Sequence, residues 1–363
     1  MGLSRPLSKV IQGATPLFGA TLVPEPRRLL DEVYQSGVDA FDSGLVYADE
    51  GGTCDGRLGA WVADRGLREA VTLIGKGCHP GPPDWTASRV RPEAVATDVA
   101  VTLDRMGIER LDLWLFHRDD PSVPITELVD AAQDQVASGT IDAWGVSNWS
   151  TARLRQALDA ANVSPPIATS SQFSLVDQLA EPWPGVTTLT GFERAAERAS
   201  LIETGITVMA WSPLAGGFLT TSHQPGSKTD PETTRCYDSL NNRRRRDNSQ
   251  ELAAFRGCRL EQVAIAYVAN SPMRAHAVCA ARSGPEATAN IEAATMELTT
   301  EERRWLEQGD RHHGDSSDSV LKPRPKSYRW ARPARCGGAA DPCHDRGQRT
   351  REDDVVHRAR NPG

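Results

Sequence analysis

No apolar run in this 363-residue sequence approaches the roughly 20 residues of a membrane span, and no continuous apolar stretch follows the early basic residues Arg5 and Lys9. Neither a spanning helix nor a secretory leader is expected, and the location expected is cytoplasmic. The seven cysteines (Cys54, Cys78, Cys236, Cys258, Cys279, Cys336 and Cys343) are odd in number, and no two have CxxC spacing. That argues against a zinc site or a disulfide framework and for a reducing compartment. Cys279 lies in an apolar run and reads as a small core residue. The net charge is only -7, which gives no reason to expect nucleic acid or an anionic membrane as a partner. G-x-G-x-x-G is missing too, since Gly13 and Gly19 stand too far apart. A doubly wound dinucleotide-binding sheet would usually carry that motif after its first strand.

What is present is a regular alternation. Apolar runs at Lys9–Ala14, Ala40–Ser43, Val71–Lys76, Leu111–His117, Ile141–Val146, Ile167–Gln172, Thr207–Trp211 and Ala275–Ala280 read as eight strands. Helical spacing separates them. Pro92–Met106 places Val95, Val99, Leu103 and Met106 on one face, with Pro92 suited to the first turn. Pro26–Gln35, Ile125–Ser138, Thr151–Ala161, Phe192–Thr204, Gln250–Arg256 and Glu261–Asn270 follow the same pattern. Strand and helix in alternation predict a single α/β domain, a (β/α)8 TIM barrel, over residues 1–310. The helical and strand periods fail from Arg311 onward. Residues 311–363 carry twelve Lys or Arg against seven Asp or Glu, a charge of +5 that leaves -12 on the remainder. They read as a disordered C-terminal extension.

Two long segments, Gly77–Arg91 with Trp85 inside it and Phe218–Asn248 with the run Arg243–Arg246, read as loops, with most of the arginines facing solvent. Asp49, Glu50 and Asp55 also read as solvated loop residues.

Several apolar runs end on an ionisable group. Asp42 closes Val38–Phe41, Lys76 closes Val71–Gly75, His117 closes Leu111–Phe116, and Tyr47 stands five residues beyond Asp42. At one mouth of a barrel these four side chains make an acid–base set. A free phenol has a pKa of about 10. An ammonium beside it favours phenolate and lowers that value, and a carboxylate keeps the ammonium charged and oriented. Tyr47 is then able to protonate a developing alkoxide, with His117 positioning the substrate oxygen. Asp39, three residues before Asp42, faces the other way along the strand. Asp112 reads as an anchor at the strand's lower end.

These residues also carry a resemblance. Gly37-Val38-Asp39-Ala40-Phe41-Asp42-Ser43-Gly44-Leu45-Val46-Tyr47, followed by Leu58-Gly59, resembles the aldo-keto reductase signature. Leu111–His117, Gly145-Val146-Ser147-Asn148-Trp149, Trp211-Ser212-Pro213-Leu214 and Arg282-Ser283 with Asn290 resemble later motifs of the same family, in the family's order. The likeness runs from about residue 8 to residue 308. His117–Pro124 and Ser171–Leu175 suggest its bacterial, NADP-dependent-type branch. Ser43 stands where Thr is commoner, and the hairpin that often seals the barrel bottom is missing or reduced.

The resemblance implies a nicotinamide cofactor. Asn148 and Gln172, with Ser147, offer paired donors and acceptors for the carboxamide. Trp211 offers a face for the ring, and Ser212, Leu214 and Gly216 a cradle for pyrophosphate. Arg282 and Ser283, before a helix N-terminus, suit a phosphate monoester and favour NADPH, with NADH possible. Glu286 and Asn290 are expected in the same cofactor site, although Glu286 and Ala289 depart from the family's usual residues there. Trp85, Trp149 and Phe218, with Trp183, are expected to line a cleft for a small carbonyl or alcohol substrate. The leading expectation is NADPH-dependent reduction of an aldehyde, ketone or sugar carbonyl. The alternatives are a non-catalytic NADPH-binding auxiliary or redox-sensing protein, and a hydrolase using Asp42 with Asp112 or Asp119.

Overall fold

Alternation along each strand decides which side chains look into the barrel and which look out to the helices. The computed structural model describes residues 3, 5–223 and 230–308. In it, β1 (Val10–Gly13), β2 (Ala40–Asp42), β3 (Thr72–Gly77), β4 (Leu111–Phe116), β5 (Ile141–Ser147), β6 (Ala168–Gln172), β7 (Thr207–Trp211) and β8 (Ala275–Cys279) pair in parallel and close, β1 against β8. The fold is the (β/α)8 barrel that the sequence predicts. Each strand matches its expected position to within about two residues. The extension expected at 311–363 lies outside the described residues.

One apolar cluster fills the barrel: Ile11, Ala40, Ile74, Leu113, Leu115, Ala143, Ala168, Met209 and Val278. Leu3 and Leu7, before β1, pack against it. Out-facing neighbours such as Phe41, Leu73, Trp114, Phe116 and Trp144 join the larger core under the helices. Two residues beyond Ala40, Ile74 and Leu115 the same inward parity reaches Asp42, Lys76 and His117. The strands therefore deliver three of the four acid–base residues to the same end of the barrel.

The helices are α1 (Pro26–Gln35), α2 (Cys54–Arg65), α3 (Pro92–Met106), α4 (Ile125–Ala137), α5 (Thr151–Ala160), α6 (Ala195–Thr204), α7 (Pro231–Tyr237), α8 (Leu240–Arg256), α9 (Leu260–Ala269), α10 (Gly284–Thr295) and α11 (Thr300–Glu307). Glycine at 59 lets α2 lie on the end of α3, because a Cβ there would stand 2.0 Å from the Met106 carbonyl oxygen.

Two segments read as loops are helical. Thr53 caps α2, its Oγ1 accepting from Gly56 N, and a hairpin of Ala48–Asp49 against Gly52–Thr53 precedes it. Within the segment expected as a loop from 218 to 248, Asp230 caps α7 and Ser239 caps α8. Of the arginine run Arg244 is exposed, while Arg245 and Arg246 anchor this region instead of facing water. Arg243 pairs with Asp238, and Arg245 with Asp177. Arg246 is buried and donates to the carbonyls of Phe218, Thr220 and His223. Among the described residues no helix is long and apolar enough to cross a membrane, and no His, Cys, Asp or Glu group is placed to hold a metal ion.

Candidate active site

Lys76 ends β3 inside the barrel, nearly without solvent contact. Its Nζ lies 2.5 Å from Asp42 Oδ1 and donates to the Ser43 carbonyl at 2.7 Å. Burial disfavours the ammonium, but the charge and hydrogen bond of Asp42 more than offset it, so the Lys76 pKa lies above the ordinary lysine value. A permanent cation thus stands below the mouth, 5.5 Å from the centroid of the Tyr47 ring.

Tyr47 is held by its backbone. Its N–H donates to Gly44 O and its carbonyl accepts from Cys54 N. Phe18 stacks on the half-buried ring at 5.4 Å. Gly44 admits the approach of two rings, since a Cβ there would lie 3.1 Å from Tyr47 Cε2 and 3.4 Å from His117 Cε1. The hydroxyl is 3.5 Å from His117 Nε2. Asp55, expected in solvent, is fully buried in the first turn of α2 and accepts from Ser43 Oγ at 2.5 Å. It ties the end of β2 to α2 on either side of the Tyr47 turn, and the helix N-terminus favours a carboxylate there.

The expectation that Lys76 brings the phenol below its ordinary value needs correction. Burial raises the Tyr47 pKa, the Lys76 ammonium lowers it, and the net direction is up. Tyr47 is therefore a protonated donor at neutral pH. Desolvation, with the positive charges of Lys76 and Arg118 also contributing, holds His117 neutral. Its Nδ1 is buried without a hydrogen-bond partner among the described residues. The tautomer protonated on Nε2 places the single N–H where a ligand oxygen can accept it.

Around the four lie residues the sequence reading passed over. His79, in the loop after β3, packs on His117 with ring centroids 4.7 Å apart and meets Trp85 edge-on at 6.4 Å. Burial lowers its pKa to about 4. The loop is pinned by Asp98, which accepts from Cys78 N and pairs with Arg89. Arg118 follows His117 and donates to its carbonyl at 3.0 Å. The signal available was position, a polar residue within two or three residues of a strand's C-terminal end.

The expected cofactor residues are only partly brought together. Asn148 has a left-handed backbone, φ 61°. Its Nδ2 donates to Ser147 Oγ and His117 O, and its Oδ1 accepts from Thr187 N. Gln172 is fully buried, and both ends of its amide are committed: Nε2 donates to Ser174 Oγ, and Oε1 accepts from Thr188 and Thr190. Among the described residues its second Nε2–H is the donor left for a carboxamide. The half-buried Trp211 faces Trp183 at 6.1 Å, and its Nε1 is buried without a partner. Left-handed residues recur at Ser212, Ala215, Gly216 and Gly217, around Leu214. Turns of that kind present successive amides to an anion. A nicotinamide dinucleotide fits this donor set through Asn148, Ser147, Trp211 and the Ser212–Gly217 turn, with the remaining Nε2–H of Gln172 beside them.

At the adenosine end, Arg282 is exposed and Ser283 caps α10, its Oγ accepting from Glu286 N. Asn290 is buried on the helix's inner side. Carboxylates already hold the amides expected to read a phosphate. Gly284 N donates to Glu32 at 2.8 Å, and Arg282 N to Glu286 at 2.8 Å. This counts against the preference for NADPH read from the sequence, because a 2'-phosphate would have to displace these anions.

Two residues expected at the substrate cleft are turned away from it. Trp149 is buried against Phe116 at 5.4 Å, its Nε1 donating to Arg118 O. Phe218 has no solvent exposure and packs on His223. Of the four aromatics expected there, Trp85 and Trp183 are exposed, at 57% and 58%.

A parallel eight-stranded barrel with a Tyr–His–Lys–Asp set at its C-terminal mouth defines a class of α/β barrel equipped for acid–base chemistry on an oxygen. The sequence pattern of the aldo/keto reductase family is matched over residues 13–310, and the chain belongs to that family. A protein from Oryza sativa subsp. japonica described as a probable voltage-gated potassium channel subunit beta is 27% identical over 343 residues, spanning 89% of this chain and 96% of its own length. A protein of the same description from Arabidopsis thaliana is 28% identical over 300 residues, 78% of this chain and 86% of that one. A thermostable aldo-keto reductase crystallised with the inhibitor epalrestat shares the fold, with a TM-score of 0.63 at 20% identity over 85% of this chain and 98% of its own.

Proposed function

We propose that this chain reduces a carbonyl compound to its alcohol with a nicotinamide dinucleotide as reductant. The observation that carries this reading is Tyr47, a protonated phenol whose hydroxyl is 3.5 Å from a neutral His117 and whose ring lies beside the Lys76–Asp42 ion pair. The cofactor, when bound, supplies a hydride to the carbonyl carbon. Tyr47 Oη gives its proton to the oxygen as charge develops there. Lys76 stabilises the phenolate left behind, and Asp42 keeps Lys76 charged and in place. His117 Nε2–H orients the carbonyl oxygen toward Tyr47. Ser147, Asn148 and Trp211 hold the nicotinamide end, and the Ser212–Gly217 turn the pyrophosphate. The partner in this reading is a small molecule, neither nucleic acid nor a membrane.

The test is a panel of aldehydes and ketones with NADPH or NADH, followed by the loss of reduced-nicotinamide absorbance. Tyr47→Phe should lower kcat by about 10²–10⁴ while cofactor affinity stays within a few-fold. Full turnover by that variant would sink the assignment. A second reading is favoured by the two relatives described as potassium channel beta subunits, namely an auxiliary protein that binds the cofactor and does not turn over. Tight cofactor binding with no reduction of any carbonyl in the panel would select it.

A further inference from the structure

Arg118 has no role in the chemistry above, yet it occupies one of the more costly positions in the molecule. It follows His117 directly, at the C-terminal end of β4, and is half-buried. A guanidinium has five N–H donors in a planar fork. Among the described residues Arg118 uses one of them, from Nη1 to the His117 carbonyl, and no carboxylate lies within ion-pair distance of it. Other arginines of the mouth have counter-ions: Arg153 meets Asp119, and Arg89 meets Asp98. A partly desolvated cation without a counter-ion is unfavourable, and burial lowers even its arginine pKa.

The surroundings show where its charge is directed. Its Nη1 donates to the carbonyl of His117 at the strand end, beside the reacting end of the site, and its charge is felt by Tyr47, His79 and His117. The carboxylate that acts on it is Glu181, which is exposed and accepts from Gly185 N at 3.0 Å, and its effect is smaller than that of Tyr47. A Cβ on Gly185 would lie 3.9 Å from Arg118 Cδ, so that turn borders the arginine stem. On the other side stand the neutral His79 and the exposed Trp85. Beside this aromatic edge Arg118 offers a cation whose forked donors, apart from the one to His117 O, have no partner among the described residues.

Resting on the carbonyl-reduction reading, we infer that Arg118 is a specificity-determining residue that binds an anionic group of the substrate, and that the substrate class is a carbonyl compound bearing a carboxylate near its carbonyl. The fork of Arg118 fits a carboxylate through two parallel N–H···O bonds, and the carbonyl then lies toward Tyr47 and His117. Such a contact holds equally in substrate and transition state, so its loss appears in KM more than in kcat.

The experiment compares 2-carboxybenzaldehyde with benzaldehyde, in the wild-type chain and in Arg118→Gln and Arg118→Lys, with thermal melts to establish folding. The wild type should prefer the charged aldehyde in kcat/KM by about tenfold or more. Arg118→Gln should lose that preference through a raised KM for the charged aldehyde, and Arg118→Lys should recover part of it. A wild type without preference, or an Arg118→Gln variant whose two substrates suffer equally, overturns the inference. A binding arm separates this from the reaction itself. Benzoate and benzamide are titrated into the protein–cofactor complex and followed by tryptophan fluorescence. Benzoate that binds more tightly than benzamide, and loses that advantage in Arg118→Gln, supports the anion site even if neither aldehyde is reduced. Equal binding of the two overturns it.

Discussion

In the proposed reduction, Lys76 would help to set the pH range over which Tyr47 acts. Reduction needs the protonated phenol, so activity should be full below the Tyr47 pKa and fall as pH rises through it. Burial already holds that value above the ordinary tyrosine value, while the ammonium pulls it down. Lys76→Met removes the pull and leaves Asp42 unpaired. Its alkaline limb should move to higher pH, and its maximum rate should drop because the phenolate loses its neighbouring cation. A pH–rate profile checks both, and a limb that moved downward would assign Lys76 another role. Glu32 is a second residue whose role is legible only in three dimensions. Its hydrogen bonds with Arg28 and Gly284 N hold its carboxyl below the usual range, so an anion stands at the start of α10. Glu32→Gln should improve NADPH affinity relative to NADH by about tenfold, since a like charge no longer opposes a 2'-phosphate. Dissociation constants for both cofactors, measured side by side, decide it.

Short, buried links hold the elements around the site. Arg246 of α8 gathers three carbonyls from Phe218, Thr220 and His223, just past the Ser212–Gly217 turn. Lysine in its place keeps the charge but not the fork. Arg246→Lys should therefore weaken cofactor binding several-fold, and should lower stability by about 1–3 kcal/mol because buried carbonyls lose their donors. Calorimetric binding and a melt would read the two effects separately. Glycine at 59 works by absence. Gly59→Ala would drive a methyl into the Met106 carbonyl and should cost about 1–3 kcal/mol or more, seen as a lower melting temperature. At this scale the sequence was legible wherever period and caps agreed, as in Pro92–Met106. It misled at α7 and α8, where the many charged and polar residues of 231–248 hid the Asp230 and Ser239 caps. Four consecutive arginines look solvated by composition, and only the packing of α8 on the preceding loop supplies the carbonyls and carboxylates that take three of them in.

At the scale of the whole molecule, a closed barrel makes the site a property of the strand ends. A chain ended after Gly309 is expected to keep its melting temperature and its steady-state rates, because residues 311–363 carry no apolar period with which to dock and a charge opposite to the remainder. A large loss in either measurement would place the extension within the working protein. The sequence by itself determined the eight strands, their alternation with helices, and the convergence of Asp42, Lys76 and His117. Each of these follows from local periodicity, and a period of two sends residues two beyond Ala40, Ile74 and Leu115 into the same barrel mouth. Tertiary structure alone decided which amides and charges remain free. Gln172 is committed to Thr188 and Thr190, and Gly284 N to Glu32. Trp149 and Phe218 are turned into the core. Asp55 is buried against Ser43, and Arg118 is left without a counter-ion among the described residues. Hydrogen-bond satisfaction is settled between residues as far apart as Glu32 and Gly284, and no local pattern in the chain encodes it.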